Sequence, residues 1–217
     1  MSEFRRKLLI SHESDGPADP TLIFFAPLSY GDLTDHISGN MLNNYSSFVS
    51  WDSSQQMYHV NKPTTRENCP YWNVDFTGVL QKTSSQTFTF IVDGISVKSS
   101  RFNYPEFFSL GHFYNGDWVP SIAVDGWRES DKTAFKRRVT IFDGSDVLRY
   151  ADGVLTERIP QGSTSGWRVS KWQIQSFQKV CLNPLRGNDE AGLDIYVKNL
   201  RIYNRALSIE EAMSLPM

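Results

Sequence analysis

Several things are scarce or absent in this 217-residue chain, and each absence excludes a class of protein. There are only two cysteines, Cys69 and Cys181, and they form no Cys-x-x-Cys pair, so zinc-ligand spacing is missing. They read as two unpaired thiols in a reducing compartment, with one long-range disulfide as the alternative. No apolar run approaches the length of a membrane span. The opening, Met1 to Ile10, sets Arg5, Arg6 and Lys7 before too few apolar residues for the core of a signal peptide, so no N-terminal export signal is expected. Positive charge is not in excess either. Lys and Arg total 22 against 24 Asp and Glu, a net charge of −2, which excludes a nucleic-acid backbone as the expected partner. The one dense basic group, Lys136, Arg137 and Arg138, reads as a strand end or loop.

Catalytic signatures are missing as well. There is no Gly-x-Ser-x-Gly elbow, no His-Glu-x-x-His and no glycine-rich phosphate loop. The four histidines, His12, His36, His59 and His112, are scattered.

What is present is β pattern and aromatic residues: Trp 6, Tyr 9 and Phe 14. In Thr87–Val97, Phe88, Phe90 and Val92 give one apolar face while Thr87 and Thr89 begin the other, the mark of a half-buried strand. Comparable runs are Thr21–Leu28, Tyr71–Leu80, Glu106–Phe113, Trp118–Val124, Phe135–Phe142, Val147–Tyr150, Val154–Ile159, Lys171–Leu182 and Leu193–Tyr203. Asp93-Gly94, Asn115-Gly116, Asp125-Gly126, Asp143-Gly144 and Asp152-Gly153 interrupt these runs and read as tight turns, because glycine accepts positive φ and aspartate tolerates it. Repeated turns between short strands predict an all-β fold, a two-sheet antiparallel sandwich. One helix is expected at the end of the chain, where Ser208-Ile209-Glu210-Glu211 fits a capping box and two turns would reach Leu215. Residues 1–20 read as an N-terminal arm and linker, and 21–217 as one domain. The arm is open to three readings: a disordered tail, an edge strand, or an anchor to a partner, through which an oligomer could form.

The closing segment, Val197-Lys198-Asn199-Leu200-Arg201-Ile202-Tyr203-Asn204-Arg205-Ala206-Leu207-Ser208, resembles the last strand and turn of concanavalin A-like, laminin-G-like jelly-roll domains. Asp35-His36-Ile37-Ser38-Gly39-Asn40 is similar to that family's early Ser-Gly-Asn loop, and Arg138 to Leu155 to its paired strands with Asp-Gly turns. The resemblance implies a jelly-roll sandwich with a short C-terminal helical turn. It also implies calcium as the one cofactor to consider, with Asp32, Asp35 and Asn40 as oxygen donors. The chain departs from the family where Lys198 and Asn199 replace an acidic pair.

Related glucanases carry Glu-x-Asp-x-x-Glu on one strand; here Glu129 and Asp131 are followed by Ala134. Trp172-Gln173-Ile174-Gln175 lacks the histidine of the lyases. The expectation is therefore a non-catalytic, lectin-like binding module rather than an enzyme. The candidate ligand platform is Tyr114, Asn115, Asp117, Trp118, Asp125 and Trp127, which mixes rings for stacking with groups that bond hydroxyls. The expected partner is a glycan or a neighbouring virion or surface protein. The competing expectation is a purely structural phage head or tail protein, released to the outside by lysis and otherwise cytoplasmic.

Overall fold

In strand Phe88–Val97 the residues Phe88, Phe90 and Val92 point into the core, while Thr89, Ile91 and Asp93 point the other way. That two-residue period, repeated along the chain, builds two antiparallel sheets that share one core. A computed structural model describes residues 19–43, 48–61, 69–76, 79, 87–97, 106–114, 117–125, 136–160, 179–182 and 194–217; within these, the side chains of 95–97, 106–114, 117–125 and 194 are not described.

The strands are β1 (Leu22–Ala26), β2 (Val49–Asp52), β3 (Met57–Val60), β4 (Tyr71–Asn73), β5 (Phe88–Val97) and β6 (Glu106–Tyr114). They continue with β7 (Asp117–Asp125), β8 (Arg137–Phe142), β9 (Asp146–Ala151), β10 (Val154–Pro160), β11 (Lys179–Leu182) and β12 (Asp194–Tyr203). Helix α1 (Ile209–Ser214) follows. The larger, eight-stranded sheet runs β10-β9-β8-β5-β12-β3-β2, with β1 also pairing β12; the smaller runs β4-β11-β6-β7. The all-β sandwich expected from the turn pattern is what forms. Strands β2 and β3 lie outside the predicted runs. Among the described residues of Tyr71–Leu80, the strand is Tyr71–Asn73. Of Lys171–Leu182 the described part, Lys179–Leu182, is a strand. The N-terminal arm lies outside the described residues up to Asp19.

Between the sheets, Phe24, Phe88, Phe90, Val92, Leu200 and Ile202 of the larger sheet face Trp72, Val180 and Leu182 of the smaller. Phe24 meets Trp72 edge to face at 5.3 Å, and Phe88 stacks on Phe142 at 4.0 Å. Burying each such ring stabilises the fold by about 2–3 kcal/mol. On the outer face of the larger sheet, Ile91, Val139, Ile141 and Tyr203 are covered by Leu207 and Ala212. Helix α1 ends this cover and starts as predicted. Ser208 accepts from the Glu211 N–H, and the Glu211 carboxylate accepts from the Ser208 N–H at 2.7 Å.

Two sequence expectations are corrected here, and one is refined. Asp93-Gly94 is not a turn: β5 runs straight through it. A Cβ at Gly94 would stand 2.2 Å from the Tyr196 carbonyl oxygen, so the glycine serves close approach of β12 at the bulge between Val197 and Asn199. The basic group does stand at a strand end, the start of β8, but most of it is buried. Arg137 and Arg138 are buried on β8. Arg137 donates to both Asp93 oxygens, at 2.6 and 2.9 Å, and to the carbonyls of Ala212, Leu215 and Pro216. Arg201 and Asn199 complete the shell around Asp93 at 3.1 Å each. Finally, Cys69 and Cys181 are not free thiols. They form a disulfide, fully buried, across 112 residues of chain, because β11 pairs β4 and sets Cys181 beside Tyr71.

The other two described turns hold. Asp143 Oδ1 accepts from the Ser145 and Asp146 N–H groups, with Gly144 at φ 92°. Asp152 and Gly153 both take positive φ, 49° and 83°, the pair that closes a two-residue hairpin between Ala151 and Val154.

Candidate ligand-binding site

Residues 28–43 form a loop that leaves the larger sheet after β1 and reaches the smaller at the Asn43–Tyr71 bridge. Leu28, Leu33 and Leu42 are buried in the core and pin it, and Trp72 Nε1 donates to the Leu33 carbonyl at 2.9 Å. Between those anchors the Asp32 N–H donates to the Ser29 carbonyl at 2.8 Å, closing a turn with Tyr30 and Gly31 at its centre. Gly31 sits at φ 77°, the left-handed position a type II turn requires.

This turn lifts Tyr30 into solvent, where it is 76% exposed. The Tyr30 ring meets Trp51 of β2 edge to face at 5.4 Å, and Trp51 meets Tyr58 of β3 at 5.1 Å. Register pairs Trp51 with Tyr58, and the Gly31 N–H donates to the Tyr58 hydroxyl at 3.0 Å. The result is a ridge of three rings, buried at Tyr58, half-buried at Trp51 and open at Tyr30. The open end of such a ridge, the Tyr30 ring, offers an apolar surface braced by Trp51 before a ligand arrives.

The same segments carry two anchored carboxylates. Asp32 accepts from the Thr34 N–H at 2.9 Å and pairs with His36 Nε2 at 2.7 Å. Burial works to raise the Asp32 carboxyl pKa, but the bonds from His36 and Thr34 outweigh it and hold the group below the usual carboxylate value. Asp52 follows Trp51 and caps the β2–β3 turn, accepting from Ser54 Oγ, the Ser54 N–H and the Gln55 N–H. The Ser54 hydroxyl leads in lowering its pKa.

Asp35 and Asn40 are employed differently. Asp35 is fully buried and accepts from the Phe25, Ile37 and Ser38 N–H groups and from Ser38 Oγ. Asn40 donates to the Asn73 carbonyl at 2.8 Å. Calcium takes about six to eight oxygen ligands. The Asp32, Asp35 and Asn40 side chains are instead engaged in separate bonds that shape the loop, so they do not fit a shared calcium shell. Among the described residues no group of three or more His, Cys, Asp or Glu side chains could hold a metal ion.

Of the platform expected from sequence, Asn115 and Trp127 lie outside the described residues, and so do the side chains of Tyr114, Asp117, Trp118 and Asp125. The backbone places Tyr114 opposite Asp117, and Trp118 opposite Phe113, at one end of the β6–β7 hairpin. Asp125 pairs Glu106 at the other end, about 26 Å away along the strand. Sequence reasoning missed Tyr30, Trp51 and Tyr58. The available signal was an aromatic residue just before a glycine, followed by two rings in short alternating segments.

Among the described residues no helix is long and apolar enough to cross a membrane. No family model and no curated protein matches the chain. Solved structures do. A Trypanosoma rangeli sialidase in complex with 2,3-difluoro-KDN is similar at 14% identity and a TM-score of 0.59, over 97% of this chain and 38% of that one. The binding domain of botulinum neurotoxin DC, in complex with rat synaptotagmin II, is similar at 10% identity and a TM-score of 0.57, over 89% of this chain and 50% of that one. The botulinum neurotoxin serotype G binding domain matches at 12% identity and a TM-score of 0.56, over 89% and 50%. The chain thus spans half or less of the length of these three structures. The expectation that the chain is not an enzyme is corrected by these matches. Its β-rich sandwich is shared with sialidases as well as with binding domains, and a fold common to both does not separate catalysis from binding.

Proposed function

We propose that this chain is a carbohydrate-binding module of the concanavalin A-like, laminin-G-like kind, and that Tyr30 and Trp51 form the surface on which the sugar rests. The observation that carries this reading is Tyr30, held 76% exposed on a glycine-dependent turn and braced by the ring behind it. An exposed tyrosine on a loop tip would ordinarily swing freely; here the turn, Trp51 and the Gly31–Tyr58 hydrogen bond fix its base. A sugar stacks its C–H face on such a ring while its hydroxyls bond nearby carboxylates. The buried disulfide supports a protein that works outside a reducing compartment.

The test is a glycan array with the purified chain, followed by titration calorimetry on each hit. Tyr30→Ala is expected to weaken binding about tenfold or more, as loss of an aromatic anchor does, with the melting temperature unchanged. A hit whose affinity survives Tyr30→Ala would move the site elsewhere. An array without hits would end the carbohydrate reading.

A further inference from the structure

Tyr30 stands on a turn whose last residue, Asp32, is tied back to the larger sheet by a histidine. Ser29 opens that turn and Asp32 closes it, through the Asp32 N–H and the Ser29 carbonyl. The Asp32 carboxylate accepts from the Thr34 N–H at 2.9 Å, a bond internal to the loop. Its second partner, His36 Nε2 at 2.7 Å, leads out towards the sheet. A carboxylate only accepts, so His36 Nε2 carries the proton. His36 is itself held on β1 twice. Its backbone N–H donates to the Phe25 carbonyl at 2.7 Å, and its ring meets the Phe25 ring edge to face at 5.7 Å. Phe25 pairs Arg201 of β12 in register and lies under its guanidinium at 4.8 Å. Strand β12 sits inside the sheet, between β5 and β3. A continuous path of contacts therefore runs from the interior of the sheet to the turn that carries Tyr30. The side chains of His36 and Asp32 are only 18% and 28% exposed, so water competes weakly for their bond.

Building on the carbohydrate reading, we infer that His36 is a positioning residue for the ring surface: it acts through Asp32, fixing the turn so that Tyr30 rests against Trp51 before a sugar arrives. The exposed ring needs such support, because its contact with Trp51 is a single edge-to-face meeting at 5.4 Å. The Gly31 N–H bond to Tyr58 fixes the residue after Tyr30, and Asp32 fixes the residue after that. Removing the histidine releases Asp32 from β1 while the core anchors Leu28 and Leu33 stay in place. The turn then loosens without loss of the fold. A ring ordered in advance loses less conformational freedom on binding, and that difference is what the histidine contributes.

Two readouts on the intact chain test this, the first without any ligand. Nuclear Overhauser contacts between the Tyr30 and Trp51 rings are expected in the parent. They should fade in His36→Ala and return in His36→Gln, whose side-chain amide can donate to Asp32. His36→Asn keeps the amide on a shorter side chain and should behave as the alanine variant does; it serves where His36→Ala does not fold. The second readout is titration calorimetry with each oligosaccharide that binds the parent on a glycan array. His36→Ala should weaken binding about three- to tenfold, and His36→Gln should restore it. In a Tyr30→Ala background His36→Ala should add no further loss. Ring contacts unmoved in both disrupting variants overturn the inference. So does a glutamine that restores neither readout, or an affinity loss of equal size with and without the Tyr30 ring. Failure of every oligosaccharide to bind the parent instead refutes the carbohydrate reading, and the ring contacts still decide the role of His36.

Discussion

Replacing Asp93 with alanine removes one carboxylate and strands two buried cations. Asp93 accepts four bonds: two from Arg137, one from Arg201 and one from Asn199. The side chains of Arg137 and Arg201 are only 1% and 2% exposed, so water cannot take over the lost role without opening the outer face of the sheet. Breaking a buried ion pair by deleting one partner costs about 3–5 kcal/mol, chiefly because the remaining charge stays desolvated. Here two buried guanidinium groups would lose the carboxylate they share, which places Asp93→Ala at the upper end. For a chain of this size, about 4 kcal/mol lowers Tm by roughly 8–16 °C. Thermal and urea unfolding followed by circular dichroism would measure it. Adding Arg137→Met to Asp93→Ala should cost far less than the two single changes summed, because it removes one of the stranded charges. A loss under about 1 kcal/mol for Asp93→Ala, or additive behaviour of the pair, would refute the view that this cluster holds β5, β8 and β12 together.

Three more outcomes follow from the same structure. Gly94→Ala should destabilise by about 2–3 kcal/mol or more in urea melts, since its Cβ would fall 2.2 Å from a backbone carbonyl that β12 cannot move cheaply. Cys69→Ala with Cys181→Ala should lower stability by about 2–5 kcal/mol, because the bridge closes a long loop; non-reducing mass spectrometry should show the bond in the unaltered chain, and a free-thiol count of two would refute it. The Asp32 carboxyl lies below its unfolded value, so the stability it contributes is complete above about pH 4 and is lost as pH falls through the folded pKa. The Tm measured between pH 5 and pH 2 should therefore fall less steeply in Asp32→Asn than in the parent, and identical slopes would show that the His36–Asp32 pair adds nothing.

The parts of the fold legible in the sequence were those written in local patterns. Leu200 and Ile202 alternate inward on β12, Ser208 and Glu211 cap α1, and Asp152-Gly153 closes its hairpin, all from residues a few positions apart. Asp93-Gly94 carried the same local signal as Asp152-Gly153 and meant the opposite. Its carboxylate is bound by Arg137, 44 residues on, and Arg201, 108 residues on, and those partners outweigh turn propensity. The burial of Arg137 was hidden for the same reason, since its partner Asp93 stands 44 residues away. The disulfide needed the register of β11 on β4, which no spacing of two distant cysteines reveals.

The candidate site shows why a carboxylate-rich loop is ambiguous on the page. Asp32, Asp35 and Asn40 have the residue types of an oxygen-ligand loop, and they also have the residue types of turn-forming acceptors. What separates the two is the number of backbone donors within reach. Three N–H groups and one hydroxyl converge on Asp35, which leaves it a keystone of the loop rather than a ligand facing outward. The same inward folding turns Tyr30 outward: with Leu28 and Leu33 committed to the core on either side, the Tyr30 ring of the intervening turn is left to solvent and Trp51. The loop singled out for its oxygens thus contributes a ring, and its oxygens are what hold that ring in place.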